Sequence, residues 1–245
     1  MSVIPYADKE KAPLEKKEAV QRMFDNIAGR YDLMNDIMTA GFHRRWKTLA
    51  AREVCREGAN RVLDIACGTG DIGFLVEKYG VKEIYSADLS IEMLKEAKKK
   101  AEKRNRSERF SFGRMDALKL PFRDETFDSV ITGFSLRNVD GIAEMFGEVH
   151  RVLRNGGKFA SLEITPMKSS LFSKMFAVYF KKIVPFVGGL ITGDKKAYDY
   201  LPESVANVPD ADRVAVMMEE AGFTSVTVKR MGMGTVALVS GKKGI

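Results

Sequence analysis

Hydrophobic positions along the chain change period part-way. Val20, Met23, Phe24 and Ile27 recur at helical spacing, and a second apolar set runs from Leu33 to Leu49. Residues 17–57 therefore read as helices, punctuated by Gly29 and Gly41, behind a charged and frayed lead-in at residues 8–18. From residue 61 short apolar runs alternate with amphipathic stretches. "RVLDIA" (61–66) reads as a buried strand, 71–79 as the helix after it, and Glu83–Ser90 as a second strand. Ile91 to Lys103 predicts a helix with Ser90 as its N-cap. "RFSFGRMDA" (109–117) and Phe127–Ser135 predict strands three and four. Ile142 to Leu153 predicts a helix closed by the turn signal Asn155-Gly156-Gly157. "KFASLEIT" (158–165) predicts a fifth strand. Residues 168–205 read as irregular and helical, with Pro185, Gly188 and Gly189. A helix over Ala211–Ala221 and two strands, "SVTVKRM" (225–231) and "GTVALVSG" (234–241), complete the set.

Repeated strand–helix units imply an α/β fold: a mostly parallel sheet with right-handed crossovers and helices on both faces. Only Gly232–Gly234 separates the last two strands, and a parallel crossover needs about a dozen residues, so that pair is antiparallel. The expectation is a seven-stranded sheet with one reversed C-terminal strand at an edge. A chain of 245 residues, 45% hydrophobic, is enough for one sizeable core. Residues 1–57 read as an N-terminal helical lid. Residues 58–245 read as the α/β domain, with 168–205 as a substrate-side insertion.

The net charge of +7 suits anionic company: nucleic acid, a membrane surface or an acidic cofactor. Much of the excess lies between Lys95 and Arg109, where Glu96, Glu102 and Glu108 interleave with the bases, so a solvated helix face is the better account. Two cysteines, Cys55 and Cys67, with no CxxC or metal spacing, point to a reducing cytoplasm and to no metal site. The N-terminus has no apolar signal region. The most apolar stretch, Met175 to Ile191, is interrupted by Lys181, Lys182 and Pro185 and falls short of a membrane span.

"VLDIACGTGDIG" ends a strand and opens a helix. Gly68 and Gly70 allow a sharp turn and a close ligand, and amides at the helix start can receive a carboxylate or phosphate. Gly68, Gly70 and Gly73 also satisfy GxGxxG, with Asp88 twenty residues past Gly68, which fits a dinucleotide site as well. Three features favour an adenosyl amino acid. Asp64 before the loop would repel a pyrophosphate but suits an ammonium or sulfonium. Asp116-Ala117 after the third strand could read an adenine edge. The sheet ends in an antiparallel pair. The alternative for Asp64 is a cap on loop amides, and for Asp88 a cap on the helix near Ile91.

"VLDIACGTG", "ADLS" and "MDALKLPFRDETFD" closely resemble the cofactor motifs of class I methyltransferases, which have a Rossmann-like fold. Met23–Lys47 and "FSLRNV" (134–139) resemble the two signatures of the ubiquinone/menaquinone biosynthesis methyltransferase family, and the likeness extends over roughly residues 20–240. The resemblance implies an S-adenosylmethionine-dependent C-methyltransferase acting on a polyprenylated quinol, demethylmenaquinol first, with S-adenosylhomocysteine as product. It implies that Gly68, Thr69 and Gly70 wrap the methionine end. Asp88, with Leu89 beside it, takes the ribose hydroxyls, Asp116 and Ala117 meet the adenine, and Tyr31 closes over the cofactor. The chain departs from the family pattern at Ala66, where glycine is common, at Gly133 and Ser135, and at Arg154-Asn155-Gly156-Gly157.

Such chemistry must hold an electron-rich ring carbon in line with the methyl group, exclude water, and offer a donor to the developing phenolate and an acceptor for the ring proton. Arg137 and Asn138, after the fourth strand, are the candidates for orienting the quinol oxygen, against a loop-fixing role. His43 is a candidate base, against a helix-end role; His150 completes a helix face. Phe172, Met175, Phe176, Val178, Tyr179 and Phe180 beside Lys181 and Lys182 suit a prenyl tail and a peripheral contact at the inner face of the membrane. The alternative is that they cover the sheet or form a homodimer interface. No motif for extruded bases and no aromatic-interleaved basic stretch speaks for nucleic acid. Another lipophilic or hydroxylated acceptor, or a non-catalytic S-adenosylmethionine-binding protein, remains the competing function.

Overall fold

The computed structural model describes residues 12–166 and 208–244, with Val178, Tyr179, Val184 and Gly188 between them. Most of the 168–205 segment, including Phe172, Met175, Phe176, Phe180, Lys181 and Lys182, lies outside the described residues. Three helices lead: α1 (Ala12–Ile27), α2 (Tyr31–Thr39) and α3 (Phe42–Cys55). The alternating part follows as β1 (Arg61–Ile65), α4 (Asp71–Glu77), β2 (Glu83–Asp88), α5 (Ile91–Lys103), β3 (Phe110–Arg114) and β4 (Phe127–Gly133). Then come α6 (Ile142–Val152), β5 (Leu153–Ile164), α7 (Ala211–Glu220), β6 (Phe223–Met231) and β7 (Val236–Lys243). Helix α1 begins at Ala12, so the charged lead-in is helical from that residue on.

The seven strands stand in the order β3-β2-β1-β4-β5-β7-β6, parallel except for β7, which runs antiparallel to both β5 and β6. Alternation along the strands sends side chains to two cores. Leu63, Ile65 and Phe159 face α6 and α7, where Phe146 meets Phe159 edge-on with centroids 5.4 Å apart. Val62, Ala160 and Leu162 face α3 and α4, with Ala50, Ala51, Val54 and Val76. Each large side chain buried this way contributes about 1.5–3 kcal/mol of transfer free energy. A third cluster ties the leading helices down: Ile27, Ala28 and Met34 pack with Met93 of α5 and Val184.

Two details differ from the sequence pattern. The reversed strand sits one place in from the edge, because β7 is buried along most of its length while β6 alternates towards solvent. A strand apolar on both faces takes the inner position, and the polar one takes the exposed edge. Asn155-Gly156-Gly157 does not close α6. Val152 ends that helix and Leu153 already pairs with Phe127. The glycines form a bulge, since the next pairing is Ser129 with Lys158. A Cβ on Gly157 would stand 2.7 Å from the Arg154 carbonyl oxygen. Elsewhere the pattern holds: Ser90 caps α5 by accepting from the Met93 amide at 3.1 Å. Lys95 and Lys99 of α5 pair outward with Glu92 and Glu96. Among the described residues, no helix is long and apolar enough to cross a membrane.

Candidate active site

The loop 66–70 leaves β1 at the carboxyl edge of the sheet and is folded by short bonds. The Cys67 amide donates to the Ala87 carbonyl at 3.0 Å, and Gly70 to that of Cys67 at 2.9 Å. Gly68 has φ +54, and its amide donates to Asp88 Oδ2 at 2.8 Å. The other oxygen of Asp88 accepts from the Ser90 amide at 2.9 Å. Burial raises the Asp88 pKa, and these amides oppose the rise. Asp88 therefore caps the loop and also lines the cavity above it, with Leu89. Ala66 sits at φ 53, a left-handed conformation that explains the glycine common at this point in the family pattern.

Not every loop residue faces the cavity. Asp64 is buried behind it: Oδ2 accepts from the Gly73 amide at 3.0 Å, and Oδ1 is buried with no partner among the described residues. Burial pushes its carboxyl up to about 8. Thr69 turns to α2, its hydroxyl donating to Asp32 Oδ1 at 2.5 Å. Gly70, at φ +82, lets α4 approach α5, for a Cβ there would lie 3.1 Å from Phe74 and 3.2 Å from Ala97. Asp116 folds its own turn by accepting from the Leu118 amide at 3.1 Å. Arg151 pins the following loop by donating to the carbonyls of Leu120 and Phe122.

These pieces enclose a cavity of about 150 Å³. Gly68, Asp88, Leu89, Asp116 and Ala117 line it, as do Phe134 and Asn138 after β4, and Phe24 and Tyr31 roof it from the leading helices. Its charged lining among the described residues is Asp88, Asp116 and Asp140, with no lysine, arginine or histidine. A pyrophosphate would meet three carboxylates and no cation among the described lining residues. A ligand with hydroxyls, an adenine edge, an ammonium and a sulfonium matches these acceptors, so the lining suits S-adenosylmethionine better than a dinucleotide.

Tyr31 and Phe134 also wall a second, larger chamber of about 830 Å³, between α2–α3 and the ends of β5, β6 and β7. Its lining includes Met38, Trp46, Leu49, Ile164 and Met231, with Asn35, His43, Arg45, Arg137, Lys229 and Thr235 among its polar members. Phe134 holds φ 60, which is strained for a bulky residue, at the partition between the two spaces. Arg137 and Asn138 share one short turn but part company: Asn138 lines the smaller cavity and Arg137 the chamber. Glu163 holds the turn. Its Oε2 accepts from the Leu136 amide at 2.7 Å, and its Oε1 from Ile164 at 2.9 Å and Arg137 Nη1 at 3.3 Å. Both side chains are under a tenth exposed. Burial raises the Glu163 pKa, and the Arg137 charge opposes that.

His43 is buried, its Nε2 2.8 Å from Asp36 Oδ1, while Nδ1 is buried without a partner among the described residues. Arg44 brackets the same carboxylate at 2.7 and 2.5 Å, which brings Asp36 down to about 2. Desolvation first, then the Lys47 charge, lowers the His43 pKa. His150 packs edge-on against Phe223, as a helix-face residue would. The leading helices are staked to the cofactor loops by groups the sequence reading passed over. Ser90 donates to Asp25 at 2.5 Å, Lys100 pairs with Asp32, and Asp71 accepts from Lys47 at 2.9 Å and Lys100 at 3.1 Å. Among the described residues no cluster could hold a metal ion.

The strand order with its reversed penultimate member, and the acidic cavity over the first two strand ends, define the class I S-adenosylmethionine-dependent methyltransferase architecture. Solved structures agree in fold. A [4+2]-cyclase, SpnF, superposes with a TM-score of 0.64 at 18% identity, covering 94% of this chain and 97% of its own. A SAM-dependent methyltransferase from Thermotoga maritima gives 0.60 at 18% identity, covering 91% and 99%. A cyclase on this scaffold is a reminder that the fold alone does not choose the reaction. Sequence does more. The model of the ubiE/COQ5 methyltransferase family matches residues 12–243. The Ubiquinone/menaquinone biosynthesis C-methyltransferase UbiE of Rickettsia bellii is 38% identical over 94% of both chains. The Demethylmenaquinone methyltransferase of Deinococcus radiodurans is 41% identical over 89% of both. The chain belongs to the ubiE/COQ5 methyltransferase family, and S-adenosylmethionine is its cofactor.

Proposed function

We propose that the chain methylates a ring carbon of a polyprenylated quinol, in the naphthoquinol series, converting demethylmenaquinol to menaquinol. The observation that carries this reading is the apolar chamber of about 830 Å³ that shares Tyr31 and Phe134 with the cofactor cavity. A small polar acceptor needs no such space, whereas an aromatic head with a lipid tail does. The names of the relatives point the same way.

Bound S-adenosylmethionine supplies an electrophilic methyl group on its sulfonium. Asp88 and Leu89 take the ribose side, Asp116 and Ala117 the adenine, and the backbone at Gly68 the methionine end. Asp64, Thr69 and Gly70 shape the loop that makes those contacts. Arg137, nearly dry beside Glu163, stabilises negative charge on the quinol oxygen, and Asn138 orients that oxygen from the cofactor side. His43 is the base candidate on the chamber wall. With Nε2 held by Asp36, proton acceptance falls to Nδ1, which is buried without a partner among the described residues. The leading helices act as a lid, closing over cofactor and ring through Phe24 and Tyr31 and excluding water. A tailed substrate also implies cytoplasmic work at the bilayer surface. The alternative, that the same apolar faces meet in a homodimer, is separated by light scattering.

The test is methyl transfer from labelled cofactor to reduced demethylnaphthoquinol analogues, with the oxidised quinones as control. Label on ring carbon in the reduced series alone is the expected result, since a quinone ring is itself electrophilic. Cofactor binding with no transfer to any quinol would overturn the substrate assignment.

A further inference from the structure

The mouth of the large chamber is apolar and faces outward. Phe42 is 57% exposed and Met233 75%, and Ile37 joins them on the chamber lining. Leu33, 52% exposed, stands one turn before Ile37 on the same face of α2. Met233 is the tip of the β6–β7 turn, at φ 57 between Gly232 and Gly234, a conformation that spends backbone strain on displaying a large side chain. Scattered exposed apolar residues need no explanation, but a group ringing one cavity does.

Among the described residues, the charges on the chamber lining are of one sign. Arg45 and Lys229 are exposed and line the chamber, neither has a carboxylate partner among the described residues, and no aspartate or glutamate is in the described lining. An apolar rim with two exposed cations, and no carboxylate among the described lining residues, matches the boundary between acyl chains and anionic headgroups. It is a poor match for a copy of itself, which would set cation against cation.

We infer that the α2–α3 corner and the β6–β7 turn dock on an anionic phospholipid surface, opening the chamber directly onto the bilayer. The inference rests on the quinol reading for its purpose, not for its geometry. Leu33, Ile37, Phe42 and Met233 enter the acyl boundary, and Arg45 and Lys229 meet the phosphates. A prenyl tail then slides from lipid into the chamber without crossing water.

The chain carries one tryptophan, Trp46, and it stacks on Phe42 with centroids 6.3 Å apart. Its emission therefore reports on the rim. The experiment titrates the full chain with phosphatidylcholine vesicles, with and without phosphatidylglycerol, at low and high salt, reading Trp46 emission and co-flotation. Binding to the anionic vesicles, weakened by salt and accompanied by a blue shift, is expected. Leu33→Glu together with Met233→Glu lowers the partition coefficient by roughly tenfold or more, since apolar area sets it. Leu33→Glu alone, outside the chamber lining, keeps turnover on a tail-less soluble quinol while losing it on a vesicle-borne one. Equal partition of parent and double variant overturns the proposal, as does absence of vesicle binding. So does a parent dimer that Leu33→Glu dissociates. If vesicles bind as described but no quinol is methylated, the docking surface stands and the substrate reading falls.

Discussion

Replacing Glu163 tests how the reactive turn is held. Its carboxylate accepts from the amides of Leu136 and Ile164 and from Arg137, all in a nearly dry setting. Glu163→Ala strands a buried guanidinium, which costs about 3–5 kcal/mol for a broken buried pair. For a chain of this length each kcal/mol moves the melting temperature by about 2–4 °C, so a fall of roughly 10 °C is expected. The functional loss should be one-sided. Arg137 lines the chamber and not the cofactor cavity, so cofactor affinity should stay within about twofold while kcat drops by at least tenfold. Calorimetric titration of S-adenosylhomocysteine and steady-state methyl transfer separate the two. The pair Glu163→Leu with Arg137→Met should recover much of the stability, since apolar replacement of a buried ion pair is often neutral, without recovering turnover. Unchanged turnover in Glu163→Ala, or recovered turnover in the pair, would refute the role given to Arg137.

Asp64 rises from 3.8 to about 8, so the folded state holds its proton more tightly, and stability falls as pH rises through that window. Asp64→Asn should therefore gain thermal stability over the parent as pH climbs from about 4 to about 9; a constant gap would contradict the burial argument. Ala66→Gly relieves the left-handed strain at φ 53 and should stabilise by about 0.5–1 kcal/mol, read as a small rise in melting temperature; a fall would mean the strain is not there. Thr69→Val removes the bond to Asp32 and should speed proteolytic cutting within residues 12–39 severalfold, by weakening the hold on the leading helices by about 1 kcal/mol; an unchanged cutting rate would show that the remaining ties hold them without this bond.

The sheet was legible because its strands are short apolar runs at regular spacing, and Ser90 was legible because a cap is a local event. The position of β7 was not, since strand order depends on which strand buries both faces, and the three-residue turn says only that β6 and β7 pair. The bulge at Gly156 looked like a helix stop because both use glycine at positive φ. At the site, spacing singled out the loop, Asp88 at the end of β2 and Asp116 after β3, and Gly68, Asp88 and Asp116 line the smaller cavity. Glu163 could not. It stands in an apolar strand run, and the one available signal, a charge inside that run, says that it has a partner but not which. Asp25, Asp32 and Lys100 were equally hidden, because their partners lie 37 or more residues away in the cases of Ser90 and Thr69. Lys100 was read with its neighbours as solvated helix face, yet turns inward to Asp32 and Asp71.

The central claim is that one wall, Tyr31 with Phe134, separates a cofactor cavity from a quinol chamber. A crystal structure of the chain with S-adenosylhomocysteine and a short-tailed naphthoquinol analogue tests it most directly. The account predicts the adenosyl group between Asp88 and Asp116, the quinol ring against Phe134 with an oxygen at Arg137 or Asn138, and the tail running past Trp46 towards Met233. An analogue bound with its ring away from Phe134, or a chamber left empty at saturating analogue, would contradict it.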